Sequence, residues 1–399
     1  MNSTEKVTVM DKTAKLKIAV SIFLTAFAFG FNITGISPVL GVINELYSNV
    51  GTSLIQLLQT LPYLLLMVGA MMVGWLTTKL SKKKIILIGL LIIGICGSMP
   101  FLSESFVLLF LSRLIIGFGF GIVGPMNTAI AADFFPPEER ATYTGLHVVG
   151  MGVGTMVGNL LGGLLANIQY RCFYLIYLTA FISIIGVQFL LPETPPEHGQ
   201  KASEMKMNKE VYLISFCSFV HTLFINAYST NISIYVTENI TSNTAVTGLV
   251  TAVNAAFALL VGATFSKISK VLGKYTMAVS FFAAALGYGI ILVMPGLAGV
   301  FITSALCGIS LSCFMANGTY LISLSVEQSA VAKASGIFSV IGGIGGLIAP
   351  LALAGVSEVA LGSSSSVNEF VVSFAGMMIT AMIILIVTCG KKSTQSSTK

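Results

Sequence analysis

The sequence predicts an all-α polytopic membrane protein made of two six-helix bundles related by pseudo-two-fold symmetry. Three observations carry this reading. Of 399 residues, 55% are hydrophobic and only 9% charged, with a mean hydropathy of +0.92, whereas soluble domains carry about 25% charged residues. The apolar residues gather into twelve runs, each near the roughly 20 residues that a helix needs to cross a bilayer. The runs divide six and six about PETPPEHGQKASEMKMNKE, the longest polar stretch between them.

In chain order, an arm at 1–17 leads into a first bundle at 18–191, with spans at 18–42, 54–78, 85–103, 106–131, 142–166 and 172–191. The Pro-rich, charged stretch 192–210 reads as a linker. A second bundle at 211–389 follows, with spans at 211–236, 247–266, 275–294, 299–322, 334–358 and 369–389, and a tail at 390–399. The first run has a basic flank but no small-residue cleavage site, which makes it a retained span rather than a signal peptide. Twelve spans use roughly 240 residues and leave only short loops, with no room for a large soluble domain.

The placement of the bases orients the chain. When the spans are threaded alternately, every Lys and Arg except Arg113 and Arg171 comes out on one face. The positive-inside rule makes that face cytoplasmic, so the expectation is a multi-pass protein of the plasma (inner) membrane with both termini inside. These bases sit in tight membrane-edge turns without interleaved aromatics, so nucleic-acid binding has no support. The six cysteines are scattered through apolar segments without C-x-x-C spacing; no metal site, cofactor or disulfide framework follows. The chain has no H-E-x-x-H, no G-x-S-x-G elbow and no phosphate-binding G-x-x-x-x-G-K-[ST] loop. An enzyme and an ATP-driven pump are both disfavoured.

Parallel halves leave weak internal repeats. At an offset of 191, Gly117 matches Gly308, Gly145 matches Gly336, Gly152 matches Gly343 and Gly154 matches Gly345. The turn after each half's second span agrees, since Gly74 precedes Lys79 by five residues as Gly262 precedes Lys267.

At this point the residues resemble the major facilitator superfamily over nearly the whole chain. The turn GWLTTKLSKKK is similar to the family's loop of Gly, three residues, Asp, a base, any residue, Gly and two bases: Gly74, Lys79, Lys82 and Lys83 match, while Thr78 replaces the Asp and Ser81 the Gly. In the family that Asp caps a helix of the other half and holds the outward-facing state. The resemblance thus implies a weaker or rearranged latch, with a Thr78 hydroxyl able to cap but without the charge that favours a helix N-terminus. Arg113 with Gly117, Gly119 and Gly121 resembles the family's fourth span, and Asp133, Pro136 and Arg140 resemble its following loop. At a membrane edge, Asp133 and Arg140 read as an ion pair or gate. GTMVGNLLGG is similar to the antiporter pattern: Gly154, Gly158, Gly162 and Gly163 match, and Asn159 stands where the family has Pro. Pro350 occupies the equivalent place in the second half. Glycines four residues apart make a flat face for close helix packing with or without transport. Tyr170 and Arg171 resemble the family's Trp-Arg pair, and LPET resembles the end of its sixth span.

A proton-driven carrier needs a titratable group within the membrane, yet all 15 acids fall in cytoplasmic segments or, for Glu45, Glu104, Glu238, Glu358 and Glu369, near outer span ends. The proton-coupling candidates are therefore His221 and His147, each with packing as the competing role. Asn32, Asn127, Asn226, Asn231, Asn254 and Asn317 lie in spans, where an amide needs a partner or a wet cavity. The family resemblance puts spans one, four, seven and ten around the pathway. His221, Tyr228 and Tyr235 share one helical face, as a cavity stripe or as an interhelical seam. Arg113, costly inside a span, is either functional or held by backbone carbonyls.

The leading expectation is a monomeric secondary transporter working by alternating access. Its substrate pathway is drawn through Asn32, Arg113, Asn127, His221, Asn226, Tyr228, Asn254 and Asn317, and its partners are the bilayer, a small organic solute and protons. Proton-coupled efflux of drug-like compounds or metabolites leads, uptake of a small organic anion through Arg113 is the alternative, and a non-transporting membrane sensor is remote.

Overall fold

A computed structural model describes residues 11–194, 196, 208–326 and 331–396. Most of the arm, most of the linker and the last residues of the tail lie outside these, as do the side chains of Asn32 and Arg140. The described residues hold no strand. The helices are α1 (Lys12–Thr34), α2 (Leu40–Leu46), α3 (Thr52–Thr60), α4 (Pro62–Lys79), α5 (Lys82–Ser98), α6 (Phe106–Phe134), α7 (Pro137–Ile168), α8 (Thr179–Leu190), α9 (Lys209–Asn239), α10 (Thr244–Leu272), α11 (Thr276–Val293), α12 (Leu297–Ser325), α13 (Val331–Leu361) and α14 (Ser366–Ser396). Among the described residues, eleven stretches are long and apolar enough to cross a bilayer. One of them, Thr244–Val293, runs 50 residues and contains both α10 and α11. At 1.5 Å per residue it is far too long for one crossing of a 30 Å core, so it supplies two.

Local chemistry sets the helix ends. Ser81, where the family pattern has Gly, is the N-cap of α5 and accepts from Lys84 N at 3.3 Å. Ser105 caps α6, and Pro137 opens α7, where a missing N–H costs nothing. The first two predicted spans are each interrupted. α1 stops at Thr34 because Gly35 takes φ 48°, and a short 3₁₀ turn through Pro38 leads into α2. Pro62 separates α3 from α4, since its ring displaces the carbonyl four residues back and it has no N–H to donate. The freed backbone after Gly35 is satisfied by Gln59, whose Oε1 accepts from Ile36 N at 3.0 Å.

These two interruptions are where the packing changes hands. The chain forms two units: one of residues up to Gly35 and from Leu61 to the linker, the other of Ile36–Thr60 with everything from the linker onward. The hairpin 36–60 thus packs with the second bundle although it lies in the sequence of the first. Within that unit Ser37 Oγ donates to Ser229 O at 2.6 Å, and Gly41 N donates to Ser233 Oγ at 3.0 Å.

In the first unit α1 lies along α7 and α4 along α6 at glycine-lined contacts. A Cβ on Gly154 would strike Phe27 O, and one on Gly117 would strike Pro62 O. In the second unit α9 lies along α13 and α10 along α12; a Cβ on Gly345 would strike Phe219 O and one on Gly308 Asn254 O. Repeat-matched glycines therefore meet carbonyls 192 residues apart in both cases, within one residue of the repeat offset, while Gly145 and Gly336 both face open space. Backbones this close are how helices gain contact where lipid offers no hydrophobic drive. Gly158 and Gly162 make room in the same way for the rings of Phe31 and Phe173.

The lysines of the turn after α4 clamp helix ends. Lys82 is 5% exposed and its Nζ lies 2.6 Å from Asp133 Oδ2 at the end of α6. Lys83 Nζ donates to Gln188 O of α8 at 2.7 Å. Lys15 at the start of α1 pairs with Glu139 at the start of α7 at 2.7 Å. Asp133 is thus held by Lys82, while its expected partner Arg140 has its side chain outside the described residues. Asp133→Asn strips a buried ammonium of its anion; with Asp133 one-third exposed, the expected loss is about 1–3 kcal/mol, below the 3–5 of a fully buried pair. Thermal unfolding in detergent reads it, and an unchanged Tm would show the pair to be inert. Thr78 Oγ1 donates to Trp75 O of its own helix at 2.7 Å, and Gly74 has open space before it. Lys79 is the basic residue in the last turn of α4, where a cation complements the helix dipole.

Candidate functional site

In the first unit the polar groups form two clusters. One lies where α1, α6 and α7 meet: Asn127 Nδ2 lies 2.9 Å from His147 Nδ1, and the imidazole is half-buried beside Phe29, which packs edge-on against Phe120. With the amide N–H donating, His147 Nδ1 accepts and the neutral ring keeps its proton on Nε2. Asn127 Oδ1 is buried without a partner. If the amide turns over, that oxygen faces Nδ1 and can accept from it, so the pair suits both a neutral and a protonated ring.

The other cluster surrounds Arg113 on α6, which is 1% exposed. The 3₁₀ helix Tyr170–Leu178 that leads into α8 brings up Tyr174 and Tyr177. Arg113 Nη1 donates to Tyr177 Oη at 3.0 Å, and its guanidinium carbon lies 5.0 Å from the Tyr177 ring centre and 5.9 Å from that of Tyr174. Nε and Nη2 have no partner. A nine-residue 3₁₀ helix is unusually long; here its tighter turn stacks residues 174 and 177 one above the other toward the guanidinium.

In the second unit His221 of α9 is 0% exposed. Its ring stacks on Phe314 at 4.0 Å, meets Phe281 edge-on at 5.1 Å, and has Nε2 3.0 Å from Ser310 Oγ, while Nδ1 has no partner. Tyr228 Oη donates to Ser304 Oγ at 2.9 Å, and Asn254 Nδ2 donates to Ser304 O at 3.0 Å, so those two candidates meet at one residue of α12. The Tyr288 hydroxyl is wedged into the α9 ladder, accepting from Tyr228 N at 3.1 Å and donating to Phe224 O at 2.8 Å. A side chain inserted in this way opens a helix locally. Asn226 Nδ2 donates to Thr222 O at 2.7 Å within its own helix, and Asn317 is buried on α12.

One group that the sequence placed only at a span end is drawn inside. Glu369, near the start of α14, is 1% exposed and accepts from Asn231 Nδ2 at 2.8 Å, from Gln56 Nε2 at 3.2 and 3.3 Å, and from Ser364 Oγ at 3.3 Å. Gln56 comes from α3 and also donates to Asn231 Oδ1 at 2.7 Å.

Comparison with known proteins decides the family. The Major Facilitator Superfamily model matches residues 22–213 and again 214–398, one copy on each half. The chain belongs to this superfamily. It is a multi-pass membrane transporter and not an enzyme. Among solved structures of the same fold are a bacterial homologue of the human lysosomal transporter Spinster (TM-score 0.72, 14% identity, covering 95% of this chain and 96% of that one) and the nucleoside transporter NupG (TM-score 0.75, 15% identity, 94% and 99%). Among curated relatives, the quinolone resistance protein NorA of Staphylococcus aureus strain MSSA476 is 27% identical over 175 residues, 42% of this chain and 45% of NorA. The match thus spans less than half of that relative. A probable anion transporter of Oryza sativa subsp. japonica is 31% identical over 82 residues, 20% of this chain and 19% of that protein.

Proposed function

We propose that this transporter exports small, partly apolar organic compounds across the plasma membrane in exchange for protons, with its lysine-bearing face and both termini in the cytoplasm. The observation that carries the reading is the Asn127–His147 pair. It is a titratable ring, half-buried beside Phe29, next to an amide whose unpartnered oxygen, once the amide turns over, can accept a hydrogen bond from the ring's second N–H. An imidazole exchanges protons near neutral pH, and aromatic walls with few polar groups suit a partly hydrophobic solute. The likeness to a quinolone resistance protein supports the same direction. His221, sealed by Phe281 and Phe314, is the less reachable of the two histidines.

In proteoliposomes with an imposed pH gradient, His147→Ala is expected to lower proton-driven movement of a fluoroquinolone or a lipophilic dye by about a hundredfold or more, the scale of losing a proton-transfer group, and Asn127→Leu is expected to lower it by less. His221→Ala is expected to lower thermal stability more than transport. Full proton-driven transport by His147→Ala sinks the assignment.

Arg113 favours a second reading. Two unpartnered guanidinium N–H groups are suited to a carboxylate or phosphate, and one relative carries an anion-transporter name. Accumulation of organic anions that is lost in Arg113→Leu and kept in His147→Ala would establish uptake in place of export.

A further inference from the structure

We propose that Glu369, Gln56 and Asn231 form a proton-binding latch that seats the hairpin 36–60 on the second bundle: binding a proton closes it, and losing the proton loosens it.

The carboxyl of Glu369 sits in a pocket built from three distant segments, α3, α9 and α14, with partners 313 and 138 residues away in the chain. Its donors are all neutral. Among the described residues no Lys, Arg or His lies within ion-pair distance. The titratable groups nearest to it along the elements around it are acids or phenols, Tyr235 and Glu238 on α9, Glu358 on α13 and Glu45 on α2, with none on α3; Lys333 of α13 is 25 residues before Glu358, over about 37 Å of helix. Glu238 is joined to α14 through Ser366 at 3.3 Å, and Tyr288 of α11, which stacks on Phe370, spends its hydroxyl on α9. His221, the nearest base along α9, is ten residues from Asn231, about 15 Å of helix. Lys209, and Lys391 and Lys392 on α14, are more than twenty residues from the cluster, over about 30 Å of helix.

An ionised carboxylate here has no counter-charge, and its desolvation costs several kcal/mol that neutral donors only partly offset. The cluster also holds one acceptor too many. Gln56 Oε1 is buried with no donor, although the amide nitrogen of the same side chain touches both Glu369 and Asn231. A proton taken from the outer water onto Glu369 removes the charge and adds an O–H donor to a cluster that is short of one. When the hairpin lifts away, water replaces these partners and the carboxyl gives its proton up. By linkage, whatever binds the proton more tightly when seated is seated by the proton.

The breaks at Gly35 and Pro62 give the segment the two pivots that such a movement needs. A latch of this kind ties outer-side acidity to the seating of the hairpin, which deepens the proton-exchange reading above. It is tested without substrate, so it can fail while transport stands, and the reverse.

The test uses the full chain in lipid nanodiscs, with spin labels at Asn49 and Leu361 after replacement of the six native cysteines, and infrared difference spectra of the carboxylic-acid carbonyl. On acidification the wild-type protein should gain a carboxylic-acid band that Glu369→Gln lacks, and the labels should draw together. Glu369→Gln, which mimics the protonated acid, should hold the short distance at every pH. Gln56→Ala keeps the carboxyl but removes an N–H that favours its ionised form, so the midpoint of the acid band should move to higher pH by about one unit, a tenfold gain in proton affinity. An acid band indifferent to Glu369→Gln overturns the proposal. So does a distance that ignores pH in the wild type, or one that follows pH equally in Glu369→Gln.

Discussion

Gly154→Ala and Gly345→Ala are each expected to destabilise the transporter by about 1–3 kcal/mol, the range for forcing a methyl into packed space. The obstacle at both positions is a backbone carbonyl of the facing helix, Phe27 O or Phe219 O, which has no rotamer to change. Relief therefore requires α1 to move off α7, or α9 off α13, and that loosens a whole interface. Another repeat-matched pair, Gly145 and Gly336, sits before open space, and alanine there should be neutral or stabilising by up to about 1 kcal/mol through helix propensity. Thermal unfolding of the four variants in one detergent decides the matter. Equal Tm values across the set would mean that the glycine contacts do not hold the bundles together.

Arg113→Leu is expected to raise stability and abolish transport together. The side chain is buried with one hydrogen bond and two ring faces to offset the loss of hydration, and two of its nitrogens have no acceptor. Replacing buried charge by an apolar group of similar size stabilises by about 1–4 kcal/mol in cases where the pairing was incomplete. A residue that costs stability in this way persists where activity needs it. A higher Tm with background transport is the expected result. A lower Tm with intact transport would make the Tyr174–Tyr177 box purely structural.

Much of the fold was legible because its signals are local. Span positions follow from hydropathy, and the repeat follows from glycines whose contacts prove to be equivalent in the two halves. The interruption of the first two spans was not read, since a hydropathy window averages over Gly35 and Pro62, and both residues are themselves compatible with an apolar run. The site was less legible. Asn127 and His147, twenty residues apart, each stand out as polar groups within spans, but their pairing depends on the crossing of α6 and α7. Asn254 and Tyr228 stand out in the same way, without the serine that joins them. By position Glu369 reads as a span-end acid, and Gln56 carries no signal of its own. What makes them a cluster is three-dimensional: 313 residues separate them, and no composition or spacing rule spans that distance. Tyr174 and Tyr177 left no signal beyond being aromatic.

The segment 36–60 also sets the order in which the protein can be completed. It emerges from the ribosome early, yet the groups that receive it include Glu369, more than 300 residues later. At about 5–20 residues per second, synthesis leaves it waiting for roughly 15–60 s. During that time Gln56 has no Glu369 to meet, and until α9 is made it has no Asn231 either, so the early hairpin is the part of the newborn chain with most need of the insertion machinery or a chaperone. Truncation of the last helix should therefore injure the first hairpin as much as the bundle from which the helix was removed.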